Sequence, residues 1–154
     1  MAFDLTRPAD AAVPGDLSAS DQTTICDLTG PERFVVWSLR WCASRHEDTA
    51  FADLCLRDSF ERAGLAASLP ALRRYASLVA GEPAHCPAAA RLGCWRINAA
   101  EAHTLQALAS LQADRFGDAW RALTAVCARF DAARAMLALG EIADALSAMG
   151  ARIR

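Results

Sequence analysis

From Pro31 onward apolar side chains recur every three or four residues, and the runs are punctuated by residues that start and stop helices. That spacing gathers the apolar groups of each run on one side of an α-helix and offers no two-residue alternation for a sheet. Phe34, Val35, Trp37, Leu39, Trp41 and Cys42 make the first run, behind Thr29-Gly30-Pro31-Glu32. There a Thr hydroxyl and a Glu three residues later can satisfy each other's unpaired backbone donors, a capping box. Arg33 and Arg40 are expected to face water, and the helix to end near Arg45. Asp48 as cap, the apolar residues Phe51, Cys55, Leu56 and Phe60, and Gly64 as a left-handed stop predict a second helix. Ser68 caps a third, whose first turn tolerates Pro70, whose buried face is Leu72, Tyr75, Leu78 and Val79, and which Gly81 ends.

Between Glu82 and Ile97 the period is broken by Pro83, Pro87 and Gly93, making this the longest connection. Asn98-Ala99-Ala100-Glu101 resembles a second capping box and opens a helix carrying Leu105, Leu108, Ala109 and Gln112. A tight turn at Phe116-Gly117-Asp118 leads into a fifth helix with Trp120, Leu123, Val126 and Cys127; no second copy of this hairpin follows at the period of a helical repeat. The last helix, from about Ala132 to Met149, places Ala135, Leu139, Ile142, Leu146 and Met149 on a heptad seam. Over so short a span a seam is expected to pack into the domain's own core rather than coil with a second chain. Gly140 within it weakens the helix by about 1 kcal/mol relative to Ala, or permits a neighbouring helix to approach closely. The expected fold is all-α, a compact bundle of five or six helices over residues 29–154 behind a flexible acidic arm over 1–28.

The arm reading follows from charge. Up to Asp27 five aspartates face one arginine, with Pro8, Pro14 and Gly15 interspersed, while the whole chain carries only −2. Such a segment buries too little apolar surface to offset the entropy of ordering it, although an acidic tether can fold back on a more basic body. At 154 residues the chain is long enough to bury a core without disulfides or metal. The small net charge argues against a nucleic-acid partner, and no uncharged run is long enough for a membrane span. The chain contains no lysine, which removes P-loop and Schiff-base chemistry. No export signal is evident near the N-terminus, so the six cysteines are expected to be reduced thiols in the cytoplasm.

The residues that invite a chemical reading are Cys42 and His46 on the first helix, His85, Cys86 and Cys94 in the long connection, and His103 on the fourth helix. Cys42 and His46, four apart, share a helical face, and the connection can complete a four-coordinate site for zinc or an iron-sulfur cluster. Neither C-x-x-C nor H-E-x-x-H occurs, and free cysteine is commonly a small buried hydrophobe, so the preferred reading has no cofactor, with Cys42, Cys55 and Cys127 in apolar stripes. Cys94, just before the fourth helix and near Arg96, is the thiol best placed for reactivity. His85 and Cys86 are adjacent only in sequence, and Arg57-Asp58 and Glu61-Arg62 read as solvated pairs, so no catalytic group is assigned.

The run Glu32 to Trp41, and the stretch from His85 to Cys94 followed by Glu101 and Leu105 to Gln112, resemble a family of small bacterial helical proteins. In that family a tryptophan-bearing first helix precedes a His- and Cys-containing loop, often with C-P-C, before an acidic helix start. The resemblance implies that Cys94 is the loop cysteine and Glu101 the helix-start acid, with Arg96 standing where the second cysteine of C-P-C would fall. It brings no function with it. The expected role is a non-catalytic binding or regulatory module whose apolar helix faces meet a protein partner, or a second copy as a homodimer. The rival expectation is a thiol and imidazole protein that holds metal or senses oxidants, and an enzyme with an inter-helical pocket comes third.

Overall fold

The structure, a computed structural model, describes residues 23–43, 49–80 and 89–154. Among these the chain is all-α, with helices α1 (Gly30–Ala43), α2 (Thr49–Arg62), α3 (Leu69–Ala80), α4 (Ala99–Gln112), α5 (Phe116–Thr124) and α6 (Arg129–Ala148). Short 3-10 turns at Ile25–Asp27 and Ala66–Ser68 precede α1 and α3. No helix among the described residues is long and apolar enough to cross a membrane. The arm as far as position 22, and the expected end points Arg45, Asp48 and Gly81, lie outside the described residues.

Three helices end in the same hydrogen-bonded motif, in which the chain turns left-handed just past the last turn and two amides reach back to the last free carbonyls. After α2, Gly64 takes φ +70° and Leu65 N–H donates to the Phe60 carbonyl at 2.8 Å. Past α6, Gly150 takes φ +72° and Ala151 N–H reaches Leu146 at 2.9 Å. At the end of α4 the left-handed residue is Asp114, φ 56°, with Arg115 N–H on the Ser110 carbonyl at 2.8 Å. The turn expected at Phe116-Gly117-Asp118 therefore sits three residues earlier, and those residues are already the first turn of α5. The reason is that Asp tolerates the left-handed region better than most non-glycine residues, so the stop needed no glycine. Two boundaries near α6 also differ from expectation: α5 ends at Thr124, leaving Val126 and Cys127 in the turn, and α6 begins at Arg129 rather than Ala132.

The core forms where α6 packs against α3, α4 and α5. Leu108, Leu123 and Leu139 are fully buried there, each contributing roughly 1.5–3 kcal/mol by leaving water. The seam residues Ala135, Leu139, Ile142 and Leu146 are all buried in this core and only Met149 is largely exposed, so the seam is spent on the chain's own packing. Tyr75 crosses from α3 to α4: its hydroxyl lies 2.6 Å from Thr104 Oγ1, which itself donates to the Ala100 carbonyl at 2.8 Å. Because the Thr104 proton is committed to Ala100, Tyr75 is the donor in this pair. Burial pushes the Tyr75 phenol well above its ordinary value, against the lowering effect of Thr104.

The chain beyond α6 folds back along α4. Gln112 donates to the Ala151 carbonyl at 2.9 Å and accepts from Ile153 N–H at 2.9 Å, so one side chain clamps the segment on both edges, and Ile153 is buried. Arg154 N–H then reaches Glu32 Oε1 at 2.8 Å, while Glu32 Oε2 accepts from Thr29 N–H at 2.7 Å. Glu32 thus makes its half of the expected capping box and joins the start of α1 to this segment. Burial pushes its carboxyl up, but the Arg154 and Thr29 amides and the Arg154 charge outweigh that and leave it below the ordinary range.

Candidate functional site

Arg40 is placed by α1 four residues after Val36, on the face that enters the core, and it is only 3% exposed. The expectation that it faces water is overturned, because its charge has a buried partner. Its Nε donates to Glu101 Oε1 at 2.7 Å and its Nη2 to Glu101 Oε2 at 2.9 Å, a two-pronged pair in which the carboxylate is 0% exposed. The same guanidinium donates to the Arg96 carbonyl at 2.8 Å and to the Cys94 carbonyl. The hydrogen bonds that Arg40 donates to Glu101 raise its pKa further, against the opposing effect of burial. Glu101 also accepts from Ala90 N–H and Asn98 N–H, each at 3.0 Å, while Asn98 Oδ1 accepts from Glu101 N–H at 2.8 Å. The capping box of α4 and the buried ion pair are therefore one network, and it fixes the connection from Ala89 to Asn98 against α1.

A second tie comes from the N-terminal side. Thr24 and Arg96 form an antiparallel bridge, with Ile25 N–H on the Trp95 carbonyl at 2.8 Å and Ile97 N–H on the Thr23 carbonyl at 3.2 Å. Asp27 closes the following 3-10 turn by accepting from Thr24 N–H at 2.9 Å and Thr24 Oγ1 at 2.6 Å, and these bonds hold its carboxyl below the ordinary range. Leu28 is buried, so Thr23 to Leu28, placed with the arm by composition, pack as part of the body.

Between the turn, α1 and the connection lies an apolar groove of about 540 Å³. Ile25, Phe34, Trp37, Leu92, Cys94 and Trp95 line it, with Cys26 and Arg33, and Arg40 forms part of its wall. Phe34 and Trp37 belong to an aromatic edge of α1 that continues to Trp41, ring centres 6.2 and 5.6 Å apart in succession, and Phe34 rests on Phe60 of α2 at 5.0 Å. Trp95 is 66% exposed although the backbone that carries it is pinned on both sides. Arg33 on the groove wall and Arg91 and Arg96 of the connection are exposed, and none makes an ion pair among the described residues. No family model, curated protein or solved structure matches this chain. The resemblance through the tryptophan helix and Cys94 thus gains nothing from outside the molecule.

The sequence-derived ligand set is only partly placed. Cys94 lines the groove, with its thiol 3.6 Å from the Arg96 carbonyl. Cys42 is half-buried elsewhere, within the electrostatic reach of Arg73 and Asp53, and is absent from the groove wall. Burial pushes its thiol up to about 11, with Arg73 opposing and Asp53 assisting, so at neutral pH it is a protonated and weak ligand. His46, His85 and Cys86 lie outside the described residues. No group of three or more His, Cys, Asp or Glu side chains placed to hold a metal occurs among the described residues. Cys127 is buried and its thiol meets the Leu123 carbonyl at 3.2 Å, the small-hydrophobe role expected of it. Sequence reasoning overlooked Cys26 and Trp95. The signal for Trp95 was present in its neighbours, since a tryptophan between Cys94 and Arg96 in a glycine-broken segment belongs to no apolar stripe.

Proposed function

We propose that the chain is a non-catalytic binding module of the cytoplasm, and that the groove between α1 and the 89–98 connection receives an apolar segment of a partner protein flanked by carboxylates. The observation that carries this reading is Trp95, a large aromatic ring left in water on a backbone that the Arg40–Glu101 network prevents from collapsing. Exposed, rigidly held tryptophans with apolar neighbours are the common anchors of protein interfaces, and prior rigidity lowers the entropic cost of association. The surrounding arginines suit an acidic flank.

Titration of the native protein with the apolar anionic dye anilinonaphthalenesulfonate tests the groove. The dye is expected to bind and fluoresce, and Trp95→Ala to abolish binding while leaving the helical circular dichroism intact. Absence of binding, or equal binding by the variant, would overturn the proposal. Self-association is the second reading, favoured by Phe130 and Leu137 on the outer side of α6, 94% and 72% exposed. Light scattering that shows a dimer in the parent and a monomer in Leu137→Arg would support it, and a monomeric parent at high concentration would remove it.

A further inference from the structure

We infer, resting on the binding reading above, that the chain's own N-terminal arm occupies the groove, with Phe3-Asp4-Leu5 in the place that a partner segment takes. A partner then binds only by displacing the arm. Phe3-Asp4-Leu5 lies outside the described residues, and its composition is that of the ligand the groove calls for, two large apolar side chains around a carboxylate. Phe3 is the only aromatic residue of positions 1–22. An aromatic ring suits a wall that includes Phe34, Trp37, Leu92 and the 66%-exposed Trp95, because ring pairs gain from stacked and edge-to-face contact beyond the apolar area they remove from water. Charge acts in the same direction. Within positions 1–22 Asp4, Asp10, Asp16 and Asp21 face Arg7 alone. Arg33 stands on the groove wall, and Arg91 and Arg96 stand on the connection that carries Trp95, all three exposed and without an ion pair among the described residues. The charge of Arg40, by contrast, is spent on Glu101. The arm and this side of the body are therefore of opposite sign, which favours the approach of the arm to the groove.

The attachment of the arm keeps it close. Thr23, the first described residue, accepts at its carbonyl from Ile97 N–H at 3.2 Å, and Ile25 two residues on lines the groove. The arm thus starts two residues from the groove wall. Residues 6–22 join Leu5 to that point, and at about 3.3 Å per residue they reach up to about 56 Å, ample for a return to the wall. A segment tethered in this way is present at an effective concentration on the order of 1 mM, so an intrinsic Kd of about 0.1 mM is enough to keep about nine-tenths of the grooves filled. Weak local contacts therefore suffice for occupancy, and a partner that binds more tightly still displaces the arm.

The test uses the full chain with photoreactive benzoylphenylalanine in place of Phe3, irradiated at low concentration, digested with trypsin and weighed. Trypsin passes over Arg7 because Pro8 follows it, so the arm stays in the fragment ending at Arg33, whereas the facing groove walls fall in the fragments 34–40 and 92–96. The expected product, formed within single chains, joins the arm fragment to one of these two. A product joined to any other part of the chain, a product formed only between two chains, or none would overturn the inference. Dye titration reads the occupancy separately. The double variant Phe3→Ser with Leu5→Ser is expected to bind anilinonaphthalenesulfonate about tenfold more tightly than the parent, the factor that follows when the arm leaves about a tenth of the grooves open, with the helical circular dichroism unchanged. Equal or weaker affinity in the variant overturns the arm's occupancy and leaves the groove as a binding site. No dye binding by either chain removes the groove reading itself, and the arm's role with it.

Discussion

The residue that most directly sets the geometry of the groove is Arg40. Removing one partner of a buried pair leaves an uncompensated charge, so Arg40→Ala is expected to destabilise the fold by about 3–5 kcal/mol in urea titrations. The double replacement Arg40→Met with Glu101→Leu is expected to recover a large part of that loss, because it removes both charges, while still loosening the connection that presents Trp95. Cys42 gives a prediction in pH. A thiol whose folded pKa is raised keeps its proton in the native state, so its contribution to stability is complete below the unfolded value of about 8.5 and is lost as pH rises towards about 11. Iodoacetamide at pH 8 is therefore expected to alkylate exposed Cys26 well before Cys42, and mass spectrometry of timed samples checks the order. The burial of Arg40 was legible only in part. Its four-residue step from Val36 marks the buried face, but a charge there needs a counter-charge, and Glu101 lies 61 positions away, beyond any local pattern.

At the level of elements, the helix ends were the best-read features. Asn98 and Glu101 make both bonds of the capping box, and Gly64 takes the left-handed conformation assigned to it, because each signal acts within a few residues of backbone. Two elements carry removable strain. A Cβ added at Gly140 meets nothing within 4 Å, so the close-approach explanation for this glycine falls away and its helical penalty remains. Gly140→Ala is expected to stabilise the chain by about 1 kcal/mol. Asp114, left-handed at φ 56° past the end of α4, is expected to gain about 0.5–1 kcal/mol on replacement by glycine. Thermal melts followed by circular dichroism read both, and a fall in melting temperature for either would contradict the geometry. The shift of the turn expected at 116–118 has the same origin, because α4 stops on Asp114 and Gly117 lies inside α5.

Over the whole molecule stability concentrates where α3, α4, α5 and α6 meet, and the groove proposed to bind a partner lies on the side built from α1, the connection and the segment before it. Leu139→Ala at the centre is expected to cost about 2–5 kcal/mol, and Phe130→Ser on the outer side of α6 to change stability by no more than about 0.5 kcal/mol, as denaturant midpoints will show. By itself the sequence determined that this chain is helical, where α1, α3 and α4 begin and where α2 and α6 end, and that the seam of α6 turns inward. Those properties follow from periodicity and capping, which are local in the chain. Only the tertiary structure decided that Arg40 is buried, that Thr23 to Leu28 belong to the body, and that Cys26, Cys94 and Trp95 share one groove. Each of these depends on segments more than fifty residues apart meeting in space, and a contact of that range is set by the packing of the whole chain.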